Sequence, residues 1–305
     1  MCCGIKVFLF LPIKNAMDLV TLSGGLGNQM FQFAFYWALK KRGKKVFLYK
    51  NKLAAKEHNG YELQTLFGVE EKCVDGLWMI RLLGCPLLGK ILKHILFPHK
   101  IRGRVLYNYS IYLPLFERNG LHWVGYWQSE KYFQDVADDI RRIFCFDHLS
   151  LNPATSAALK CMSEQVAVSV HIRRGDYYLP CNVATYGGLC TVEYYENAIR
   201  YVRERYPQAV FYVFSDDLDW VRENIPSAGK MVFVDWNRGK DSWQDMFLMS
   251  KCHHNILANS SFSWWGAWLN THPEKLVIAP ERWANCPAPD ALPDGWVRIE
   301  GVSRR

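Results

Sequence analysis

The segment HIRRGDY, residues 171–177, places two adjacent arginines between a histidine and an aspartate. A guanidinium group stays charged at physiological pH, and its planar fork matches the oxygen atoms of a phosphate group. Arg173 and Arg174 therefore predict a phosphate-binding site. A surface ion pair between an arginine and Asp176, beside a turn, is the alternative interpretation of the same residues.

A predicted β-strand, residues 166–172, positions this segment. Its run of β-branched residues is typical of a buried strand. Because side chains alternate along a strand, we expect His171 and Arg173 on one face and Arg174 on the other. The turn that follows places Asp176 just beyond the carboxyl end of the strand, where open α/β sheets bind their ligands.

A glycine-rich loop follows another predicted strand, near residues 18–23. Its small residues let the backbone and the Asn28 amide approach a ligand closely. A dinucleotide-binding fingerprint would need another glycine and a later acid, and Met30 and Asn51 stand at those positions. We expect a helix from about Gln29 to Arg42, and a ligand approach of another kind at the loop. The loop residues concerned are Gly24, Gly25, Gly27 and Gln29.

Two polar clusters follow predicted strands in the C-terminal half. The carboxylates of Asp216 and Asp217 can accept paired hydrogen bonds from the Watson–Crick edge of guanine. Helix N-capping by Ser215 or Asp216 is the alternative. The second cluster opens a predicted helix, where hydroxyls and free N–H groups form an anion site. Its members are Asn259, Ser260, Ser261, Phe262 and Ser263.

The elements around these motifs predict a parallel α/β architecture, because short apolar runs alternate with helical patterns. The opening β-loop-α-β pattern of residues 18–49 is typical of a Rossmann-like domain. A helix is also expected from Ser129 to Phe144. Further strands are predicted at 166–172, 209–215, 231–235, 254–258 and 275–279, with helices at 193–205, 217–224, 241–251 and 263–270.

Charge is unevenly distributed along the 305 residues, whose formal net charge is +8. Residues 1–160 hold 22 Lys and Arg against 12 Asp and Glu, whereas residues 161–305 hold 15 against 17. No nucleic-acid recognition module occurs, which leaves an anionic membrane surface as the partner that the basic half favours. The basic apolar segment 77–104 can lie on such a surface or form an ordinary core hairpin.

Cysteine usage and the N-terminus give two further expectations. The ten cysteines contain no C-x-x-C pair, which predicts reduced thiols in a cytoplasmic protein. Cys252-His253-His254 lacks paired ligand spacing, so no metal site is expected. The apolar run Ile5–Ile13 is shorter than the hydrophobic region and cleavage site of a signal sequence, and Met17 opens a natural first strand. We therefore expect residues 1–16 to be an N-terminal extension.

Five segments together closely resemble the bacterial α-1,2-fucosyltransferases of glycosyltransferase family 11. They occur in the expected order across most of the chain, with residues 1–16 and 77–104 as departures. The H-x-R-R-x-D element also occurs in other enzymes that use GDP-fucose, so it alone does not fix the linkage. The segments are GGLGNQMFQFAFYWAL (24–39), GYWQSEKYF (125–133), HIRRGDY (171–177), FSDD (214–217) and NSSFSWWGAWL (259–269).

This resemblance implies an α/β protein with two Rossmann-like domains of the B-type glycosyltransferase fold, facing a central cleft. We expect an acceptor-side domain over residues 17–160. A GDP-fucose-binding domain is expected over residues 161–305, and the last helix is expected to pack back on the first domain.

The resemblance also implies roles for individual residues. Arg173 should neutralise the diphosphate of GDP-β-L-fucose, and His171 should touch the nucleoside. Asn28 should reach the cleft from the opposite domain, near fucose and acceptor. Asp176 is the expected catalytic base, unless it pairs with Arg174. Guanine recognition is expected from Asp216 or Asp217, ribose or phosphate binding from Ser260, Ser261 and Ser263, and further donor contacts from Arg174, Asn259 and Phe262.

The implied reaction is inverting transfer of L-fucose from GDP-β-L-fucose to O2 of a terminal β-galactoside, with neither metal nor cofactor. We expect a cytoplasmic enzyme that contacts the anionic inner face of the membrane peripherally. One alternative is a fucosyltransferase of another linkage or acceptor. Another is a noncatalytic glycan-binding protein whose aromatic cleft contains Trp264, Trp265 and Trp268.

Overall fold

A computed structural model describes residues 17–50, 58–69, 73–75, 99–102, 108–226 and 229–301. The expectations for residues 1–16, and for all of 77–104 except residues 99–102, lie outside this part of the chain. Among the described residues, no helix is both long and apolar enough to cross a membrane.

A first parallel sheet is formed within the N-terminal half. Its described strands run in the order β3-β2-β1-β5-β4. The strands are β1 (Asp18–Leu22), β2 (Val46–Lys50), β3 (Cys73–Asp75), β4 (His99–Arg102) and β5 (Leu121–Val124).

A second parallel sheet is formed within the C-terminal half, in the order β11-β10-β9-β6-β7-β8. The strands are β6 (Ala167–Ile172), β7 (Val210–Ser215), β8 (Met231–Val234), β9 (His254–Ile256), β10 (Val277–Pro280) and β11 (Val297–Ile299). We call the parts built on the two sheets the first and second domains. Together they confirm the expected α/β class and its two Rossmann-like sheets of the B-type fold.

The described helices lie between these strands, with short 3-10 turns beside them. In the first domain they are α1 (Leu26–Lys41), α2 (Leu63–Phe67), α3 (Tyr109–Tyr112) and α4 (Ala137–Ile143). The remaining helices are α5 (Pro153–Ser163), α6 (Val183–Tyr186), α7 (Val192–Arg205), α8 (Leu218–Asn224), α9 (Trp243–Lys251) and α10 (Ser261–Leu269).

Helix α1 begins at Leu26, so the expected start at Gln29 was wrong. Gly25 precedes the helix in an extended conformation, with φ −72°, and no side chain caps the first turn. A glycine at this position offers no side chain to accept from the backbone N–H groups of the first turn. Gly27, Asn28 and Gln29 are therefore helical residues at a helix N-terminus, not members of a flexible loop.

The prediction of a single helix from Ser129 to Phe144 was also wrong. The region forms 3-10 turns at Glu130–Tyr132 and Gln134–Val136 before α4 begins. Phe133 separates the turns with a φ of −135°, outside the helical region. Its ring is buried and stacks on Trp265, with centroids 5.5 Å apart. Packing between the domains thus overrides helix propensity in this region.

Helix α10 is buried between the two domains. Its three tryptophans are at most 4 % exposed, so none is available to contact a glycan. Phe31 of α1 packs against Trp264 and Trp265, with centroids 4.5 Å and 4.8 Å away. Each buried aromatic side chain of this size contributes about 1.5–3 kcal/mol of hydrophobic stabilisation. The tryptophans are therefore core residues that hold α10 against the first domain.

Candidate active site

A cleft of about 360 Å³ lies where the carboxyl ends of strands from both sheets face each other. Residues of the first domain reach it after β1 and β2, and those of the second domain after β6, β7, β8 and β9. The expected site residues that line it are Gly25, Gly27, Asn28, His171, Arg173, Asp176, Asp216, Ser260, Ser261 and Phe262.

The helix N-termini of the two domains meet at this cleft. A Cβ atom on Gly27 would lie 2.7 Å from the carbonyl carbon of Ser261 and 2.8 Å from the nitrogen of Phe262. The indole N–H of Trp265 also donates to the Gly27 carbonyl, at 2.9 Å. Because helix N-termini carry partial positive charge, their convergence forms a site for an anion.

Asn28 lies at the side of the cleft where the loops after β5 and β10 meet. Its Oδ1 accepts a hydrogen bond from Gln128 Nε2 at 2.7 Å, and Gln128 Oε1 accepts one from Trp283 Nε1 at 3.2 Å. Because the carbonyl oxygen is engaged, the Nδ2 amide is the group that Asn28 can offer to a ligand.

Gln29 is buried and does not line the cleft. Its Nε2 donates to the carbonyls of Gly24, at 2.9 Å, and Gly60, at 2.7 Å. Its Oε1 accepts from the backbone N–H of Glu62 at 3.0 Å. The side chain therefore joins the glycine loop to residues 58–62 and positions both of them.

Arg173 is held in the cleft by two carboxylates. Asp176 Oδ1 contacts Nη2 at 2.6 Å and accepts from Nε at 2.9 Å, while Asp216 Oδ2 lies 3.1 Å from Nη1. Asp216 Oδ1 also accepts from the Arg174 backbone N–H at 2.9 Å. A Cβ on Gly175 would lie 2.6 Å from Asp216 Oδ2, so a side chain at this position would have to displace that carboxylate. Asp176 thus pairs with Arg173, and not with Arg174 as the alternative interpretation had it.

Arg174 points away from the cleft, as strand alternation predicts. Its guanidinium carbon lies 3.6 Å from the ring centroid of Trp220 and 4.7 Å from that of Tyr178. Asp217 Oδ2 is 3.5 Å from its Nε, and Asp217 caps α8 by accepting from Trp220 N at 3.2 Å. Neither residue lines the cleft, and the helix cap is Asp217, where the sequence indicated Ser215 or Asp216.

His171 offers a neutral imidazole to the cleft. Burial and, secondarily, the nearby Arg173 charge lower its pKa to about 3. Within the described part of the chain, its buried Nδ1 has no hydrogen-bond partner. A buried polar atom of this kind costs free energy until a ligand satisfies it. Its ring lies beside Phe262, with centroids 5.9 Å apart.

Some polar residues at the start of α10 line the cleft, and others lie behind it. Ser260 and Ser261 line the cleft, and Ser260 Oγ caps the helix by accepting from Phe262 N at 3.3 Å. Asn259 is buried behind them and donates to the carbonyls of Tyr186 and Trp283. Ser263 Oγ donates to the backbone carbonyls of Ala258 and Ser260, which precede the helix. Asn259 and Ser263 therefore support the site from behind.

Sequence reasoning missed a third group of lining residues, at the side of the cleft formed after β2 and β8. Burial raises the pKa of Glu62, and raises that of Asp245 to about 7, although Asn237 Nδ2 donates to Asp245 Oδ1 at 2.8 Å. No motif joins these positions in the sequence, so only the fold brings them together. The group comprises His58, Asn59, Glu62, Asn237, Arg238, Ser242 and Asp245.

The described ranges contain no group of three or more His, Cys, Asp or Glu side chains that could hold a metal ion.

Comparison with known proteins identifies the family. The sequence profile of Glycosyl transferase family 11 matches residues 112–300. An alpha-1,2-colitosyltransferase of Escherichia coli is 34% identical over 303 residues, which cover 92% of this chain and 97% of that protein. The chain belongs to glycosyltransferase family 11. It is a glycosyltransferase of the α-1,2-fucosyltransferase type that this family contains.

Other relatives match the transferase to different extents. The O-antigen biosynthesis glycosyltransferase WbnK of Escherichia coli is 30% identical over 91% of this chain and 99% of its own. The galactoside alpha-(1,2)-fucosyltransferase 1 of Aotus azarae is 29% identical over 48% of this chain and 42% of its own. A crystal structure of NodZ alpha-1,6-fucosyltransferase soaked with GDP-fucose covers 84% of this chain and 93% of its own, with TM-score 0.47 and 15% identity.

We predict that Gly27→Ala disables this transferase. Its added methyl group must displace the start of α10, and a shift of about 1 Å in an active site can cost about 100-fold in rate. We expect kcat/KM to fall by about that factor. Gly295→Ala is the matched control, because a Cβ there meets no atom within 4 Å. Thermal unfolding of both variants shows whether they fold, and full activity of folded Gly27→Ala would contradict the assigned role.

Proposed function

We propose that this transferase moves L-fucose from GDP-β-L-fucose to O2 of a terminal β-galactoside, with inversion at the anomeric carbon. The observation that carries the proposal is the position of Arg173, held by Asp176 and Asp216 beside two converging helix N-termini. This arrangement suits a sugar nucleotide whose diphosphate departs as an anion. The names of the relatives support the α-1,2 linkage and a galactoside acceptor.

Charge development in the reaction explains the site. As the C1–O bond of fucose breaks, positive charge grows on the sugar and its electron pair leaves with the diphosphate. Arg173 and the dipoles of α1 and α10 stabilise that negative charge without reorganising, which is the efficient form of electrostatic catalysis. We propose that they supply the stabilisation that other transferases obtain from a metal ion.

The acceptor hydroxyl attacks from the face of fucose opposite the diphosphate and must lose its proton. Asn28 lies on the first-domain side of the cleft, where its Nδ2 can orient fucose or acceptor. Asp176 remains the proposed base. Both of its contacts with Arg173 use Oδ1, so Oδ2 is the atom that would take the proton.

Guanine recognition is better assigned to Asp245 than to Asp216 or Asp217. Asp216 is occupied by Arg173 and by the backbone of Arg174, and Asp217 caps α8 outside the cleft. Asp245 lines the cleft and is buried enough to raise its pKa to about 7. A desolvated carboxylate gains most from the two donors, N1–H and the 2-amino group, of guanine.

GDP-colitose is a second candidate donor for this transferase. The 34% identical relative is named as a colitosyltransferase, and colitose is the 3-deoxy form of L-fucose. GDP-colitose would place the same diphosphate beside Arg173, so the two donors differ only in contacts to the sugar.

The assay that tests the function supplies GDP-fucose or GDP-colitose with lactose, with and without EDTA, followed by linkage analysis by NMR. We expect a metal-independent α1,2-linked product. Arg173→Ala should lose about 10²–10³ in rate, the loss typical of removing a preorganised donor to a developing oxyanion. Arg174→Ala is the matched control, and we expect a change of only a few fold because that guanidinium lies outside the cleft. Binding of neither sugar nucleotide would refute the proposal.

We predict that Asp245→Asn removes the preference for GDP over inosine diphosphate, which lacks the 2-amino group. A hydrogen bond to a charged group justifies a wild-type preference of about 10-fold or more. Wild-type affinity for GDP should also fall as pH drops below about 7, because protonation removes an acceptor, and the variant should lose this dependence. Calorimetric titration with both nucleotides measures each effect. Asp241→Asn, at an exposed aspartate outside the cleft, is the control, and an unchanged preference in Asp245→Asn would exclude guanine recognition.

We also propose that the enzyme works in the cytoplasm against the inner face of the membrane. The positive excess of residues 1–160 favours an anionic surface, where lipid-linked acceptor glycans would be available. Co-sedimentation should therefore be strong with anionic liposomes, weak with neutral ones, and reduced by salt. Equal recovery with both kinds of liposome would argue against membrane contact.

A further inference from the structure

Glu62 is a carboxylate of the first domain that faces the cleft, and the mechanism above does not use it. Four carboxylates line the described cleft: Glu62, Asp176, Asp216 and Asp245. Glu62 is the only one of them that the first domain contributes. It is 8 % exposed, and burial raises its pKa. A buried carboxylate of this kind is unfavourable unless hydrogen-bond donors meet it.

Contacts of Asn59 place Glu62 at the Asp245 end of the cleft. Asn59 Nδ2 lies 3.2 Å from Glu62 Oε1, 2.9 Å from the carbonyl oxygen of Gly239 and 3.1 Å from Ser242 Oγ. Ser242 directly precedes α9, the helix that carries Asp245. Asn28 has different neighbours: it contacts Gln128 after β5, and Gln128 contacts Trp283 after β10.

The position of Glu62 is fixed by the backbone. Gln29 Oε1 accepts from the Glu62 N–H at 3.0 Å, and Gln29 Nε2 holds the Gly60 carbonyl at 2.7 Å. These bonds tie Glu62 to the first turn of α1, so its carboxylate has a defined place relative to the anion site. A ligand-binding residue benefits from such support, because a side chain on a mobile loop would not hold a fixed position.

The groups of a nucleoside diphosphate can be matched to the remaining side chains. Arg173 and the helix N-termini suit the diphosphate, and Asp245 suits the guanine. The ribose connects these two groups, and its vicinal hydroxyls are two donors that suit a carboxylate, as acids do in dinucleotide-binding folds. Glu62 faces the cleft between the two domains at this end.

We infer that Glu62 accepts hydrogen bonds from the ribose hydroxyls of the donor nucleotide. The inference rests on the proposed use of a guanosine diphosphate sugar. It means that the first domain holds the nucleotide as well as the acceptor. Donor binding then stabilises the approach of the two domains, because the nucleotide contacts Arg173 and Asp245 on one side and Glu62 on the other.

The test removes the ribose hydroxyls and the Glu62 carboxylate in turn and measures nucleotide affinity each time. GDP, 2′-deoxy-GDP and 3′-deoxy-GDP are titrated calorimetrically into the wild-type protein, Glu62→Ala and Glu62→Gln. We expect the wild type to bind GDP about 10-fold more tightly than at least one deoxy nucleotide. Glu62→Ala should weaken GDP binding by about the same factor and leave the affinity for that deoxy nucleotide unchanged. Glu164→Gln, at an exposed glutamate outside the cleft, controls for the loss of one charge.

The isosteric Glu62→Gln keeps the test valid if the alanine variant folds poorly, since it should lose part of the same preference. Equal weakening of all three nucleotides would overturn the inference and leave Glu62 a structural residue. Unchanged nucleotide affinity with a collapse of kcat would overturn it in favour of a general-base role. Binding of GDP and both deoxy nucleotides with equal affinity by the wild type refutes the ribose contact alone. Failure of the wild type to bind GDP refutes the proposed donor itself.

Discussion

The close contact between Gly27 and Ser261 sets the geometry on which the rest of the site depends. It brings the first turn of α1 within van der Waals distance of the first turn of α10, with no side chain between them. The positive ends of both helix dipoles therefore converge, which favours an anion there. The phosphate chemistry expected from the arginines is thus supported by backbone groups of both domains.

The four cleft carboxylates illustrate how environment separates identical functional groups. Asp176 and Asp216 both contact Arg173, and together they fix a guanidinium that would otherwise sample many rotamers. Glu62 and Asp245 are desolvated, and this burial raises their pKa values although each carboxylate has an amide partner. In the proposed reaction the first pair would hold the charge that stabilises the leaving group, and the second pair would receive hydrogen-bond donors from the nucleotide.

The aromatic core fixes the position of α10 relative to α1. Phe133 and Phe31 of the first domain pack against the tryptophans of α10, which also reach across to the backbone of Gly27 through Trp265. Moving α10 would open a cavity among several aromatic rings, which typically costs several kcal/mol. The start of α10 is thereby anchored by buried residues that do not line the cleft.

Much of the fold and part of the site followed from the sequence, because their signals are local. Alternating apolar runs predicted β6 to β10 and the parallel sheets, and strand periodicity separated Arg173 from Arg174. The resemblance of five sequence segments indicates the family from the sequence alone. These inferences need only the period of a strand and the chemistry of neighbouring residues.

Only the tertiary structure decided which groups meet. The start of α1, the break at Phe133 and the partner of Asp176 depend on contacts between segments far apart in the chain. Glu62 and Asp245 stand 183 positions apart, in stretches with no motif, and the chain places both at one end of the cleft. Their raised pKa values arise from burial, which is a property of the assembled domains and has no local sequence signal.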